Sequence, residues 1–295
     1  MSGGVTTARE RRARRAEERA TAFSLMRNLA LREIRAEYKR TVLGRVWSLL
    51  NPVAQIAIFS LVFGLLLRLP VPTGTNSEIH FFPLWIGIGV ITWAYVSGSI
   101  SGGMSSLLAN QGLLTKVYFE RSVLVVSSIV ANTTTYLTEL VVLVLITALI
   151  GGPAVLLYVP LLVPLLALTI AFVIGLSLML SVALVYFRDL QHLWAIFTQI
   201  WMYASGVMFP VALVQQAQDQ LASEGVLVDG QPLPLVTIFE LNPTERILAA
   251  FRNIIYDYAV PSLDTWLYIG VWAFGLLVIG TLVFRRFSRN VVEEL

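Results

Sequence analysis

Six long apolar stretches constrain the fold of this chain more than any other feature of its sequence. A helix needs about 20 apolar residues to cross a bilayer, and each stretch reaches that length. They occupy residues 47–67, 81–103, 123–150, 160–187, 190–213 and 263–284. Only 13% of the residues are charged, against roughly 25% in a soluble domain. The sequence predicts an all-α membrane protein with six transmembrane helices, because a helix satisfies its own backbone hydrogen bonds in lipid.

The third and fourth stretches are longer than a bilayer requires, so we expect them to tilt, kink or project beyond it. Pro160 and Pro164 stand at the start of the fourth stretch. Proline lacks the N–H group that a helix interior uses. The fourth span is therefore expected to begin irregularly.

Positive charge predicts the orientation of the chain. The first 45 residues contain 12 of the 21 lysines and arginines. Placing both termini and the loops 104–122 and 188–189 in the cytosol leaves three basic residues elsewhere. These are Arg68, Arg246 and Arg252. Cytoplasmic segments of membrane proteins are enriched in Lys and Arg, so both termini are predicted to be cytosolic. The basic residues form a tail, and nucleic acid is not a predicted partner.

The region before the first span divides into two segments. Residues 1–23 form a basic cytosolic extension, for which we predict no packed structure. Residues 24–46 place apolar side chains along one face of a helix, at Leu31, Ile34, Tyr38 and Val42. This amphipathic helix is predicted to lie in the cytoplasmic interface. It either anchors the chain to anionic lipid or transmits force to the transmembrane domain, residues 47–295, which it enters without a turn signal.

A short helix is predicted in the long connection before the last span, over residues 243–258. Asn242 is a suitable N-cap, Pro243 suits the first helical position, and Glu245 follows the cap by three residues. The helix has one apolar face and is too short to cross a bilayer. We therefore expect it to lie on the outer surface or to re-enter the membrane from that side.

The sequence lacks the motifs of several enzyme classes. It contains no cysteine, no G-x-x-x-x-G-K-[ST] phosphate loop and no H-E-x-x-H metal motif. The segment GSISG (98–102) is predicted to be a helix contact through Gly98 and Gly102. For a membrane-embedded transferase, the candidate residues are Glu139 and the pair Arg188 and Asp189, and that pair is predicted to be a structural ion pair at a turn. The chain is not predicted to be an enzyme.

Polar and aromatic residues within three of the spans form faces that suit a hydrated solute. The candidate channel-lining residues are Trp85, Thr92, Tyr95, Asn132, Tyr136, Glu139, Gln199 and Tyr203. Aromatic rings stack on the C–H faces of sugars, and amides bond their hydroxyl groups, so a glycan suits this wall. The alternative for each residue is a hydrogen bond between helices.

Five segments, in order, resemble the membrane subunit of ATP-binding-cassette polysaccharide exporters, which have the type-2 membrane fold. They are LALREIRAEYKRTVLGRVWSLLNP (29–52), GLLTKVYFERSVL (112–124), VYFRDLQHLW (185–194), GVMFPVAL (206–213) and LNPTERILAAFRNIIYD (241–257). The resemblance runs from about residue 24 to the C-terminus. GVMFP stands where many relatives have S-P-V-I-[FY]-P, so the first of the two prolines is absent.

This resemblance implies a function, a location and a set of partners. Two copies of the chain would enclose a channel in the bacterial cytoplasmic (inner) membrane and export a lipid-linked polysaccharide of the cell envelope. Two copies of a separate ATPase would bind ATP and Mg²⁺, and this chain would bind no cofactor or metal. The alternatives are export of a drug or small lipid, a lipid-linked sugar transferase, and a flippase or channel that needs no ATPase.

The same resemblance assigns roles to two groups of residues. The ATPase-coupling residues would be Lys116, Val117, Tyr118, Phe119, Glu120 and Arg121. The amphipathic helix would be a gate helix, in which Arg35, Tyr38, Arg40 and Arg45 lie near the cytosolic mouth and contact the lipid pyrophosphate.

Overall fold

A computed structural model of the chain describes residues 24–32, 46–68, 72–114, 119–228 and 231–288. The described residues are almost entirely helical, as the sequence predicts. Residues 24–32 form helix α1, and of the segment 24–46 the residues 33–45 lie outside the described part. In α1, Leu29 and Ala30 are buried, whereas Leu31, the first residue of the predicted apolar stripe, is 39% exposed.

Four helices are long and apolar enough to cross a membrane. These are α3 (Phe82–Ala109), α5 (Ser122–Gly151), α6 (Leu162–Tyr186) and α11 (Leu263–Phe287). They confirm the second, third, fourth and sixth predicted spans within a few residues at most ends. The chain is therefore a multi-pass membrane protein.

The first predicted span consists of two helical segments, and the fifth is a shorter helix than predicted. The first comprises α2 (Val46–Phe59) and a π-helical continuation (Ser60–Leu66), with Pro52 inside α2. The fifth is α7 (Leu190–Ala204), which ends nine residues before the predicted end of the span at residue 213. The prediction of six spans is thus confirmed for four helices.

The start of the fourth span is irregular, as its prolines predict. Two 3-10 helices, Pro153–Leu157 and Val159–Leu161, precede α6. Gly152 enters this segment with a φ of 87°. Pro160 therefore lies in the short helix before α6 and Pro164 lies in its first turn, where a missing N–H group costs little.

The connection between α7 and the last span contains more structure than its length alone predicts. The chain passes through a short helix-free segment, residues 205–210, into α8 (Val211–Ser223). The strands β1 (Leu227–Val228) and β2 (Gln231–Pro232) then pair antiparallel. Helix α9 (Leu235–Glu240) and helix α10 (Pro243–Ile255) complete the connection. A four-residue helix, α4 (Gln111–Leu114), follows α3.

Helix α10 is the predicted external helix, and it is buried in the bundle. Asn242 caps it, since its Oδ1 accepts a hydrogen bond from the Thr244 backbone N–H at 3.1 Å. The predicted apolar face is inserted against α3, α6 and α11. Its members, Ile247, Leu248, Phe251, Ile254, Ile255 and Tyr258, are all at most 3% exposed. Of the two predicted placements, the burial favours insertion over a helix that lies flat on the surface.

Helix α3 is the centre of the fold, because α2, α5, α6 and α10 all pack against it. A Cβ atom on Gly102 would lie 2.9 Å from Ser128 Oγ of α5, whereas Gly98 has no neighbouring heavy atom within 4 Å. The predicted GSISG helix contact is therefore confirmed at Gly102 alone. A second close contact joins α6 to α11, where a Cβ on Gly280 would overlap the carbonyl of Gly175.

Candidate functional site

The polar residues of α3 and α5 that the sequence singles out meet in one buried cluster. The rings of Tyr95 and Tyr136 are stacked, with centroids 4.3 Å apart and planes inclined by 7°. Thr92 Oγ1 lies 3.0 Å from Tyr136 OH, and Tyr95 OH lies 3.0 Å from Thr133 Oγ1. These hydrogen bonds satisfy hydroxyl groups that burial would otherwise leave unpaired. The cluster holds α3 to α5.

Three further candidate residues surround this cluster. Glu139 of α5 is 8% exposed and Trp85 of α3 is 5% exposed. Asn132 is half-buried on α5, beside Gly102. Within a single chain Glu139 and Trp85 are thus buried, and Asn132 is half-buried.

Helix α7 has one packed face and one exposed face. Trp194 Nε1 donates to Ser101 Oγ of α3 at 3.1 Å, and the rings of Trp93 and Trp201 meet edge to face at 5.4 Å. The remaining candidate residues, Gln199 and Tyr203, lie on the exposed face of α7. The structure therefore places the predicted lining residues in two separate groups, one buried and one exposed.

The end of α7 is a helix break that α10 supports. Gly206 adopts a φ of 62° directly after the C-cap, a left-handed conformation that glycine accepts most readily. Asn242 Nδ2 donates to the carbonyl of Ala204 and to Ser205 Oγ, both at 2.9 Å. Asn242 Oδ1 accepts from Trp201 Nε1 at 3.0 Å. The N-cap of α10 thus also binds the last turn of α7.

Arg252 of α10 completes the support of this break. Its guanidinium donates to the carbonyl oxygens of Gly206 at 2.7 Å and Val207 at 2.8 Å, with a longer contact of 3.4 Å to the carbonyl of Trp85. The group also lies 3.6 Å from the centre of the Trp85 ring. Arg252 is only 9% exposed.

Burial changes the pKa of two charged groups in α10. Burial lowers the pKa of Arg252 to about 9, so the guanidinium remains charged at neutral pH. Burial also raises the pKa of the Glu245 carboxyl to about 7. Glu245 Oε2 has no hydrogen-bond partner among the described residues. Helix α10 thus contains one buried cation with partners and one buried acid that has an unpaired oxygen.

The turn between α6 and α7 differs from the prediction. An open cavity of about 700 Å³ lies there, lined in part by Arg188 and Asp189. Within the described part of the chain, the salt bridges join Arg246 to Glu240 and to Asp264. The predicted ion pair between Arg188 and Asp189 is therefore wrong. Both side chains are exposed, and water solvates their charges at little cost.

Comparison with known proteins establishes the family. The sequence profile of the ABC-2 type transporter family matches residues 24–218, which is more than half of the chain. This chain belongs to the ABC-2 type transporter family. The match includes the candidate spans α3, α5 and α6 and the break after α7.

Individual ABC-2 relatives have names that refer to polysaccharide transport. The O-antigen export system permease protein RfbA of Myxococcus xanthus is 26% identical over 271 residues, 92% of this chain and 95% of the relative. A protein of the same name from Klebsiella pneumoniae is 22% identical, with the same coverage of both chains. The polysialic acid transport protein KpsM of Escherichia coli is 25% identical over 62% of this chain and 69% of its own.

The ATPase-coupling residues predicted for this ABC-2 chain lie only partly in the described structure. Phe119 is half-buried and packs against the core, and Glu120 is exposed. Ser122 Oγ donates to Glu120 Oε1 at 3.1 Å, and Arg121 is the N-cap residue of α5. The other three, Lys116, Val117 and Tyr118, lie outside the described residues.

The lipid-pyrophosphate residues predicted for the gate helix, Arg35, Tyr38, Arg40 and Arg45, also lie outside the described residues. The described part of that segment, α1, makes a specific contact with the bundle. Arg32 donates to Asn110 Oδ1, the C-cap residue of α3, at 2.6 Å. The ABC-2 chain therefore connects α1 directly to the end of its central helix.

Arg252 is the main residue of this ABC-2 site that sequence reasoning missed. In the sequence, Arg252 was distinguished only as one of the three basic residues outside the predicted cytosolic segments. One signal was available, because Arg252 lies among Leu248, Phe251 and Ile255 on the apolar face of an amphipathic helix. A charged residue at such a position requires buried partners.

Proposed function

We propose that this chain is the membrane-channel subunit of an ATP-driven exporter that moves a lipid-linked polysaccharide from the cytosol across the bacterial inner membrane. One observation carries the proposal: the similarity to O-antigen export permeases over 92% of this chain and 95% of theirs. Similarity over almost the whole of both chains supports a shared role. Export of a drug or small lipid and a sugar transferase activity are not favoured by these relatives.

The energy for export comes from a separate ATPase. The sequence has no G-x-x-x-x-G-K-[ST] motif, which cradles the phosphates of ATP in many ATPases. The relatives are named as permease proteins. In the proposed exporter, two copies of a nucleotide-binding ATPase bind ATP and Mg²⁺, and two copies of this chain form the channel.

The exposed face of α7 supports a path between two copies of the chain. His192, Gln199 and Tyr203 are exposed on a helix whose other face packs on α3. Polar side chains at membrane depth face protein or water and avoid lipid. Tyr203, 51% exposed, offers a ring for stacking on a sugar. Gln199 and Tyr203 are thus the best supported of the eight lining residues.

The six buried or half-buried candidates take part in this path only if helices separate. Trp85, Thr92, Tyr95, Asn132, Tyr136 and Glu139 lie on α3 and α5, which pack against each other. These residues can therefore line the channel only in a conformation in which α3 and α5 have moved apart.

Force reaches the channel through two cytosolic elements. Residues Lys116, Val117, Tyr118, Phe119, Glu120 and Arg121 dock on the ATPase. They immediately precede α5, so a push on them acts on a helix of the central bundle. In the gate helix, Arg35, Tyr38, Arg40 and Arg45 bind the lipid pyrophosphate, since cations form strong hydrogen bonds with phosphate oxygens.

The orientation follows from charge. With both termini in the cytosol, residues 205–262 lie on the outer side and carry most of the outer acids. Exposed Asp219 and Glu224 and half-buried Glu240 belong to this outer group. This asymmetry supports the assignment under the positive-inside rule.

Co-purification tests the proposal. The chain is tagged in its native host and extracted in mild detergent, and its partners are identified. An ATPase recovered in equal amount is the expected result. Glu120→Lys is expected to weaken this recovery, because it reverses a charge at the docking segment. Glu224→Lys reverses an exposed charge on the opposite side and serves as the matched control. Recovery of the chain alone, in intact form, would contradict the proposal.

A further inference from the structure

The break after α7 leaves backbone carbonyl groups without helical partners. The last carbonyls of any helix lack intrahelical donors. Here the chain turns at Gly206, and the carbonyl groups of Gly206 and Val207 point into a buried region, whereas the Ala204 carbonyl at the end of α7 is exposed. Val207 itself is 1% exposed. An unpaired buried carbonyl is costly, so the break persists only while other residues donate to it.

Both donors to these carbonyls belong to α10 or its cap. Asn242 serves Ala204, and Arg252 serves Gly206 and Val207. The two donors lie at opposite ends of α10, whose apolar face is fixed in the bundle. Helix α10 therefore holds the end of α7 at two points.

Arginine is required at position 252 because of its shape as well as its charge. Its planar guanidinium donates hydrogen bonds to the carbonyls of Gly206 and Val207, and the face of the same group lies over the Trp85 ring. Within the described residues, no carboxylate lies within 4.0 Å of Arg252. Its direct contacts are therefore backbone carbonyls and one aromatic face, while the carboxylates of Glu245 and Asp257 act on its charge from farther away. A lysine has the charge but lacks this flat, two-pronged geometry.

Gly89 of α3 leaves the space that the guanidinium occupies. A Cβ atom at this position would overlap Arg252 Nη2 and would lie 3.0 Å from the carbonyl oxygen of Val207. Gly89 is thus a second, independent position at which the contact can be broken without changing Arg252.

We propose that Arg252 is a positioning residue for export, which fixes the helix break after α7 against α3 and α10 and so sets the position of the exposed face of α7. This inference rests on the proposed function for its transport consequence. Its structural consequence is that residues 205–210, α10 and the adjoining part of α3 move as one unit.

The absence of cysteine from the natural sequence makes the break accessible to a direct assay. A cysteine at Met208, which is 4% exposed, reports on the break through its rate of reaction with a water-soluble maleimide. A cysteine at Ala273, which is 0% exposed in α11, reports on the bundle as a whole. A cysteine at Val226, 45% exposed, is the reactive control.

Each reporter is combined with Arg252→Gln, Arg252→Lys, Gly89→Ala or Gly98→Ala. Gly98→Ala is the matched control on α3, since no heavy atom lies near its Cβ position. We expect the labelling rate of Met208→Cys to rise at least about tenfold in Arg252→Gln and Gly89→Ala. The hydrogen bonds from the charged guanidinium contribute more free energy than a tenfold change in the opening equilibrium of the break requires. Arg252→Lys should rise less, Gly98→Ala should not change, and Ala273→Cys should stay protected throughout.

Export is measured on the same Arg252 and glycine variants without the reporter cysteines, at equal amounts of chain and of bound ATPase. Loss of export in Arg252→Gln and Gly89→Ala, with normal export in Gly98→Ala, would support the proposal. Three results would overturn it: unchanged labelling of Met208→Cys, normal export despite faster labelling, or loss of protection at Ala273→Cys as well. If the wild-type chain exports no polysaccharide, the proposed function fails, and the labelling still decides whether Arg252 holds the break.

Discussion

At the scale of single residues, Gly206 determines how α7 can end. Its φ of 62° is unfavourable for residues with a Cβ atom, and a Cβ there would lie 3.1 Å from Phe239 Cζ. We expect Gly206→Ala to lower the free energy of unfolding by about 1–2 kcal/mol. Gly206→Asn should cost less, because asparagine tolerates the left-handed region better. Thermal unfolding in detergent measures the effect.

Gly270→Ala is the control for this prediction, since Gly270 has no neighbouring heavy atom within 4 Å and no left-handed φ. If Gly206→Ala unfolds at the same temperature as Gly270→Ala, the left-handed turn is not required at this position.

Glu245 should make stability depend on pH. The carboxyl has a pKa of about 7 in the folded chain and its ordinary value of 4.5 when unfolded. The folded state therefore binds more protons between these values, and stability falls as the pH rises through the folded pKa. Glu245→Gln is expected to remove this part of the pH dependence. Melting temperatures from pH 5 to pH 8 test it.

The exposed Glu224→Gln is the matched control and should leave the pH profile unchanged. A profile for Glu245→Gln that is as steep as that of the wild-type chain would show that another group is responsible.

Residues differ in how far the sequence predicts their roles. The Asn242 cap was predictable, because its partner, the Thr244 N–H, is two residues away. The roles of Arg252 and Gly89 were not, because they depend on carbonyl groups that lie far away in the sequence and close in space. Gly206 begins the segment GVMFP, which lacks the first of two prolines, so that segment alone did not predict a break there.

At the scale of elements, the contact between α6 and α11 is the closest in the fold. The backbones touch at Gly175 and Gly280, so a side chain at either position must push the helices apart. We expect Gly280→Ala to cost roughly 1–3 kcal/mol, the usual cost of overpacking. Stability in detergent, and the amount of chain in the membrane, measure this cost.

Gly275→Ala on the same helix has open space at its Cβ position. It should be neutral or slightly stabilising, because alanine favours a helix more than glycine does. Equal effects of the two substitutions would contradict a close helix contact at Gly280.

Long apolar stretches predicted helices α3, α5, α6 and α11 well, because length and hydropathy are sufficient for spans of this kind. For the fifth span they predicted the start of the helix but not its end. The apolar sequence continues through Gly206 to residue 213, whereas the helix ends at Ala204. Asn242 and Arg252 stabilise that end from α10 and its cap. The hydropathy of the α7 sequence therefore does not predict where the helix ends.

At the scale of the whole molecule, the candidate channel residues divide into a buried set and an exposed set. A single chain has a packed interior, so a path for a polymer requires either a second copy or separation of α3 from α5. Exposed Gln199 and Tyr203 on α7 favour the first arrangement, and the exposed apolar residues Ile196 and Ile200 of the same helix suit lipid or a second copy. Hydropathy and polar periodicity predicted which residues are unusual, but not which of them face each other.

The exposed face of α7 is also expected to contact the substrate. Tyr203→Ala is expected to reduce export several-fold at unchanged chain and ATPase levels, since sugar rings lose stacking energy without an aromatic partner. Leu267→Ala, at a position 61% exposed on α11, is the control. Equal export by both variants would remove Tyr203 from the path.

Export by this chain is tested most directly by measuring on which side of the membrane the lipid-linked polysaccharide lies. The chain is depleted in its host, the glycan is pulse-labelled with a radioactive sugar, and the cytosolic and outer pools are separated by their accessibility to an added glycosidase. Lipid-linked polysaccharide is expected to accumulate on the cytosolic side while the outer pool declines, and both changes should reverse when the chain is restored. An outer pool that is refilled at the normal rate without the chain would contradict this expectation.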